Sequence, residues 1–171
     1  MVLKFFIFNF DNKKMALTLS ELTVLKNDII AKSATVYNGS TFAIHQSNTK
    51  FDQVAAYYNS IASPQVDLWR PDVLIGDITN IIDMSAYITL TVAKQNGWMA
   101  MSQGSVIDAT LSQVRANFVT IFGNGTATTN AAISISKKAA TNFELLYTTN
   151  NVSTKYKYVV SVDEIIAALR S

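Results

Sequence analysis

The sequence predicts a mainly α protein, a single-domain bundle of about six to seven helices with a small β element. Three observations carry that expectation. Apolar residues recur at helical spacing through most of the chain. Ser or Thr followed three places later by Glu or Gln marks several helix starts, the pattern of a reciprocal N-terminal cap. Two stretches, about 66–70 and 155–160, read as extended, and they are expected to pair, because a lone strand leaves its backbone groups unpaired.

Taken in order, the first helix should run over about 19–32. Thr18 and Glu21 form the capping box, Leu17 and Leu22 a hydrophobic staple, and Leu22, Leu25 and Ile29 the inward stripe. Residues 33–48 are polar, with a turn at Asn38-Gly39 and a short strand expected over 41–44. The second helix, about 49–62, aligns Phe51, Val54, Ala55, Tyr58 and Ile61, and Pro64 disfavours continuing it past Ser63. Residues 66–70 are extended. Asp72 is expected to cap a third helix through 82. The fourth, about 85–103, carries two apolar stripes: Met84, Ile88, Val92 and Met99, then Tyr87, Leu90, Trp98 and Met101. Such a helix is expected to be central or to touch two layers. The fifth, about 111–122, has Thr110 and Gln113 as its box and stops at Gly123. The sixth should span about 129–147 on Ala132, Ile135, Ala139, Phe143 and Leu146. A last helix follows Ser161 and Glu164.

Composition narrows the function classes. Charged residues make up only 15% of the chain, against a usual ~25%, while hydrophobic ones reach 49%. A surface short of charge fits either cover by other subunits or compositional drift toward Asn, Thr and Lys. Net charge of +2 is too small to imply a polyanion partner by itself. The absence of cysteine removes disulfides, thiolate metal sites and Cys nucleophiles, and fits a reducing compartment.

Residues 1–14 stand apart. The apolar run through Phe5, Phe6, Ile7, Phe8 and Phe10 is far shorter than a membrane span, and no small-residue cleavage site follows it. Met15-Ala16-Leu17 reads as a translation start. Residues 1–14 are therefore expected to be an upstream extension or a loosely attached arm, with Phe5, Phe6 and Phe8 as contacts to a neighbouring subunit. Residues 15–171 are expected to form the single helical domain.

No catalytic constellation assembles from the sequence. His45 is the one histidine and is expected in a loop. Asp72, Asp77 and Asp83 share no face that their spacing sets, and Gly123-Asn124-Gly125 follows a helix without the ending of a phosphate loop. The reading is a protein that is not an enzyme and holds no cofactor or metal. Trp69 and Arg70 alternate on a strand, so one side chain is expected buried. The guanidinium is expected to join elements through carboxylates or helix-end carbonyls, with a contact to a partner as the alternative role of the pair. Lys94, one turn before Trp98, can lie along the indole. Lys137, Lys138, Lys155 and Lys157 make a modest basic patch, able to touch phosphates in a salt-sensitive way without reading sequence.

Four segments in order carry a resemblance: Leu68-Trp69-Arg70-x-Asp72-Val73; Leu90-Thr91-Val92-x-Lys94-x3-Trp98; Ile107-Asp108-Ala109-x4-Val114-Arg115-x6-Phe122-Gly123; and Lys137-Lys138-x-Ala140-x3-Glu144-x-Leu146. The series resembles a family of small tailed-bacteriophage proteins encoded among capsid, neck and tail genes, and it spans about 17–170. Leu68 and Pro71 stand where that family usually has Val and Thr, and the 33–48 loop has no counterpart in it. The resemblance implies a virion structural protein of the neck or tail, a head–tail connector or adaptor. Such a protein would assemble in the host bacterial cytoplasm as a homo-oligomeric ring against portal, neck or tail proteins. Capsid decoration or tail completion is the alternative, and a DNA- or host-protein-binding module a further one. Trp69, Arg70, Asp72, Lys94, Trp98, Asp108, Arg115, Phe122 and Gly123 are the motif residues it implies.

Overall fold

A computed structural model describes residues 17–171. The expectations for 1–14, with Phe5, Phe6 and Phe8, fall outside them. The protein is mainly helical, with short antiparallel strand pairs. The described residues gather into two compact units, one of 17–57 with 160–171 and one of 58–159.

In the first unit, α1 (Leu19–Ala31) starts at Thr18, whose side chain accepts from Glu21 N–H while Glu21 reaches back. Leu25 and Ile29 are fully buried. A two-residue hairpin follows, β1 (Val36–Tyr37) and β2 (Ser40–Thr41), turning through Asn38 and Gly39 at φ 48° and 79°. Both turn residues need positive φ, the geometry that suits Asn-Gly. The strand expected over 41–44 ends at Thr41, because the Thr41 hydroxyl caps α2 (Phe42–Ser47) by accepting from Ile44 N–H. His45 therefore lies in a helix and not a loop. It is buried, Nε2 donating to the Tyr37 carbonyl at 2.7 Å. Next is α3 (Phe51–Asn59), from which Tyr57 sets its ring edge-on to Tyr37 and Phe42. The last helix, α10 (Val162–Arg170), begins in the expected Ser161–Glu164 box and packs along α1. Lys26 donates to the Ser171 carbonyl.

The second unit holds β3 (Asp67–Trp69), β4 (Val73–Leu74), α4 (Ile75–Ile81), α5 (Met84–Tyr87), α6 (Val92–Met101), β5 (Val106–Ile107), α7 (Ser112–Phe122), α8 (Ala127–Ile135), β6 (Lys137–Ala139), α9 (Asn142–Leu146), β7 (Thr148–Thr149) and β8 (Val152–Ser153). Its core gathers Val73, Ile78, Trp98, Phe118, Ile121 and Ala132, with Tyr87, Leu90, Met101 and Phe122 packed against it.

Several elements depart from the sequence expectation. The strand at 66–70 pairs with β6, Trp69 opposite Lys137 and Leu68 opposite Lys138, and not with 155–160. The latter cannot run straight as a strand, since Lys157 sits at φ 56°. The sixth helix is two helices with β6 between them. Ser136 caps the end of α8, and Thr141 opens α9 with its own capping box to Glu144. The fourth helix is likewise divided, because Thr91 accepts from Lys94 N–H and starts α6 afresh. Asp72 caps nothing: α4 starts three residues later with no side-chain cap. Thr110 makes no box with Gln113 either. Its hydroxyl bonds Asp108. These internal caps divide long periodic runs, giving ten helices among the described residues in place of six or seven.

Candidate functional site

Two surfaces of the 58–159 unit deserve the name of site, and they are built differently. The first is a polar clasp around β3. Arg70 Nη1 donates to the Ile135 carbonyl at the end of α8 at 3.1 Å, and its Nε to Asp72 at 3.4 Å. Asp72 also accepts from the Tyr156 hydroxyl at 2.8 Å and from Lys157 Nζ at 2.5 Å. The hydrogen bonds from Lys157 and Tyr156 outweigh the desolvation of Asp72 and hold its carboxyl at about 2. Burial, with the bond to Asp72, pushes the Tyr156 phenol up to about 12.

Glu144 is the second hub. It is fully buried and accepts from Lys138 Nζ at 2.7 Å, Thr141 N–H at 2.9 Å and Lys157 N–H at 2.5 Å. Its carbonyl takes the Ser153 and Thr148 hydroxyls. A buried carboxylate is tolerable only when its oxygens are so occupied. Lys138 and Lys157 also lie over the Tyr156 ring at 5.1 and 5.4 Å, and Lys155 over Tyr158 at 5.3 Å. Of the basic patch expected from sequence, two lysines are thus bound to internal carboxylates. The cause is simple: 137–138 lie on a strand paired with β3, and not on the solvated side of a helix.

The other motif residues fall in the same unit. The Arg115 guanidinium lies 4.5 Å from the centroid of the Trp69 ring, and Lys137 Nζ 4.7 Å from it. Arg115 Nη1 donates to the Ala109 and Thr110 carbonyls, each at 2.7 Å, while Asp108 accepts from Thr110 N–H at 2.9 Å and braces the same turn. Trp98 packs edge-on to Phe122 at 5.6 Å. Among the described residues it is Trp69, not Trp98, that gathers cations. Lys94 lines a groove instead. Gly123 ends α7 at φ 94°, where an added Cβ would come within 3.0 Å of Thr126.

The second surface is apolar. The stripe Met84, Ile88, Val92 and Met99, read from sequence as part of a helix that is central or touches two layers, faces outward, these residues being 60%, 70%, 70% and 59% exposed. Only the other stripe, Tyr87, Leu90, Trp98 and Met101, packs into the core. Ala93, Asn96 and Ala100 share the outer face of α6, and none of these exposed residues is charged. Beside them lies a groove of about 500 Å³ between α6 and α7, lined by Ala93, Lys94, Gly97, Ala100, Asn117 and Ile121. From 84 to 123 the only charged residues are Lys94, Asp108 and Arg115, and the last two are engaged at the 108–110 turn.

Sequence reasoning missed Tyr156 as a hub and gave Glu144 no role beyond its place in a motif. The Thr141-x-x-Glu144 box was the available signal for the latter. It also missed that one of two apolar stripes would be left uncovered. Among the described residues no cluster of three or more His, Asp or Glu side chains could hold a metal ion. None of their helices is long and apolar enough to cross a membrane. No family model, curated protein or solved structure matches the chain.

Proposed function

We propose that this protein is a structural component of a tailed-phage particle, a connector or adaptor of the neck or tail, and that it works by packing against copies of itself. The observation that carries the reading is the uncharged outer face of α5 and α6. Depletion of charge at the centre of an apolar patch is the compositional mark of a protein interface. On α6 an apolar ridge, Val92 and Met99, runs beside the groove over Gly97, so one face offers both a projection and a hollow. The ridge of one copy seated in the hollow of the next is a head-to-tail contact, the kind that repeats around a ring, so the face favours a second copy over an unrelated partner.

Magnitudes agree with a ring. Fully burying a large apolar side chain is worth ~1.5–3 kcal/mol, so four that are already partly covered supply on the order of 4–8 kcal/mol. Association costs about 4–15 kcal/mol in lost freedom. This face alone therefore gives a weak pair, and repetition around a closed ring, with neighbouring portal, neck or tail proteins, would supply the rest. The clasp fits the same reading. Its carboxylates and lysines answer one another within the chain, so they stiffen the unit and leave no activated group for bond chemistry. The non-enzymatic reading and a place in the virion, after assembly in the host cytoplasm, belong to this proposal.

Deleting the gene from the phage that encodes the protein tests it. Heads and tails that accumulate unjoined are the expected result. Normal yields of infectious particles without the protein would overturn the reading.

A further inference from the structure

The Trp69 cluster has a property that the clasp lacks. Arg115 and Lys137 both sit against one indole, so their charges lie within about 9 Å of each other. Among the described residues neither has a carboxylate partner, whereas nearby Arg70, Lys138 and Lys157 each have one. Two uncompensated cations this close repel each other weakly in water and more strongly beside a ring and a backbone that exclude it. Anion binding relieves that repulsion.

The Arg115 guanidinium is oriented for it. Nη1 is anchored to the Ala109 and Thr110 carbonyls, and the indole supports the plane, while Nε and Nη2 have no acceptor among the described residues. Those two atoms form the edge that binds a phosphate through two parallel hydrogen bonds. Lys137 adds a point charge held over the same ring. Trp69 is only half-buried, so the cluster reaches solvent.

We infer that Arg115 and Lys137, held on Trp69, form a phosphate-binding site. The site is independent of the proposal for self-assembly. Its ligand is a phosphate group, presented by a nucleic-acid strand or by free phosphate. This moves the expected phosphate contact away from the four-lysine patch, where Lys138 and Lys157 are already committed to Glu144 and Asp72.

The test uses the full chain and its two tryptophans. Inorganic phosphate and a 20-nucleotide oligothymidine are titrated separately while the indole N–H resonances of Trp69 and Trp98 are followed. Trp98, buried in the core, is the internal control. Shifts confined to Trp69 are expected. If the oligonucleotide acts at much lower phosphate concentration than the free ion, a nucleic-acid strand is the ligand; equal potency per phosphate assigns the site to free phosphate. For the strand, Lys137→Ala is expected to reduce the salt slope of binding by about one, and Arg115→Lys to weaken binding while keeping the charge. Lys50→Ala, an exposed cation of the 17–57 unit, should change neither. Thermal melts confirm that each variant is folded. No shift at Trp69 with either ligand, or equal losses from Lys137→Ala and Lys50→Ala, would overturn the inference.

Discussion

Around Asp72 and Glu144, charges are answered inside the chain: lysines lie on carboxylates, a phenol bonds to Asp72, and a helix-end carbonyl is met by Arg70. Along α5 and α6, large apolar side chains stand in solvent with almost no charge near them. A polar cluster that is self-satisfied holds a unit together and has little left to offer a partner. An apolar face left bare contributes nothing to the isolated fold and gains only when something covers it. Under the proposed function, stability and assembly therefore reside in different residues, and substitution can separate them.

The largest effect should come from Glu144→Ala. It strands Lys138 and two backbone N–H groups in a buried setting, and is expected to cost about 3–5 kcal/mol, read as a loss in urea midpoint. Glu144→Gln, which retains an acceptor, should recover part of it. A small loss from Glu144→Ala would mean that the clasp does not hold the unit. Asp72→Asn should cost less, on the order of 1 kcal/mol at most, because this carboxylate is over a third exposed and solvent screens its pairing.

Acid and alkali sharpen the same contrast. The folded Asp72 carboxyl is depressed to about 2, so its contribution is complete above its ordinary value near 3.8 and is lost as pH falls toward 2. The Tyr156 phenol is raised to about 12, so its contribution is complete below 10 and is lost as pH rises from there to 12. Melting temperatures measured across pH should therefore lose part of their acid limb in Asp72→Asn and part of their alkaline limb in Tyr156→Phe. Unchanged limbs would remove these groups from the stability account. The smallest effect on stability belongs to the bare face. Val92→Lys should stay within about 0.5 kcal/mol of wild type, since the site is exposed and unpartnered in the single chain.

Much of this was legible from residues alone. Thr18–Glu21 and Ser161–Glu164 fix the first and last helices because a capping box is local chemistry, whereas the Thr110–Gln113 pair fails because Asp108 takes the Thr110 hydroxyl. The Asn38-Gly39 turn and the stop at Gly123 are equally local. The failures came where a local cap competed with a long periodic pattern. Thr91 and Thr141 interrupt the fourth and sixth helices, although the apolar spacing runs on past both. The partner of β3 was misjudged because the alternation of Tyr156, Tyr158 and Val160 imitates a strand, whereas Lys157 takes a left-handed backbone to reach Glu144. The two apolar stripes of 84–101 were both visible. Which one the core would use depends on where α4, α7 and α8 lie, and periodicity carries no such information.

The most direct test of the central claim is the mass of the protein in solution. Light scattering at tens of micromolar, on wild type and on a Val92→Lys/Met99→Lys double variant, should give a concentration-dependent oligomer for the first. The second should be a monomer that melts cooperatively, at the temperature wild type shows once diluted to monomer. A wild type that stays monomeric throughout, or a double variant that assembles as before, would contradict the assignment of α5 and α6 as the surface on which this protein works.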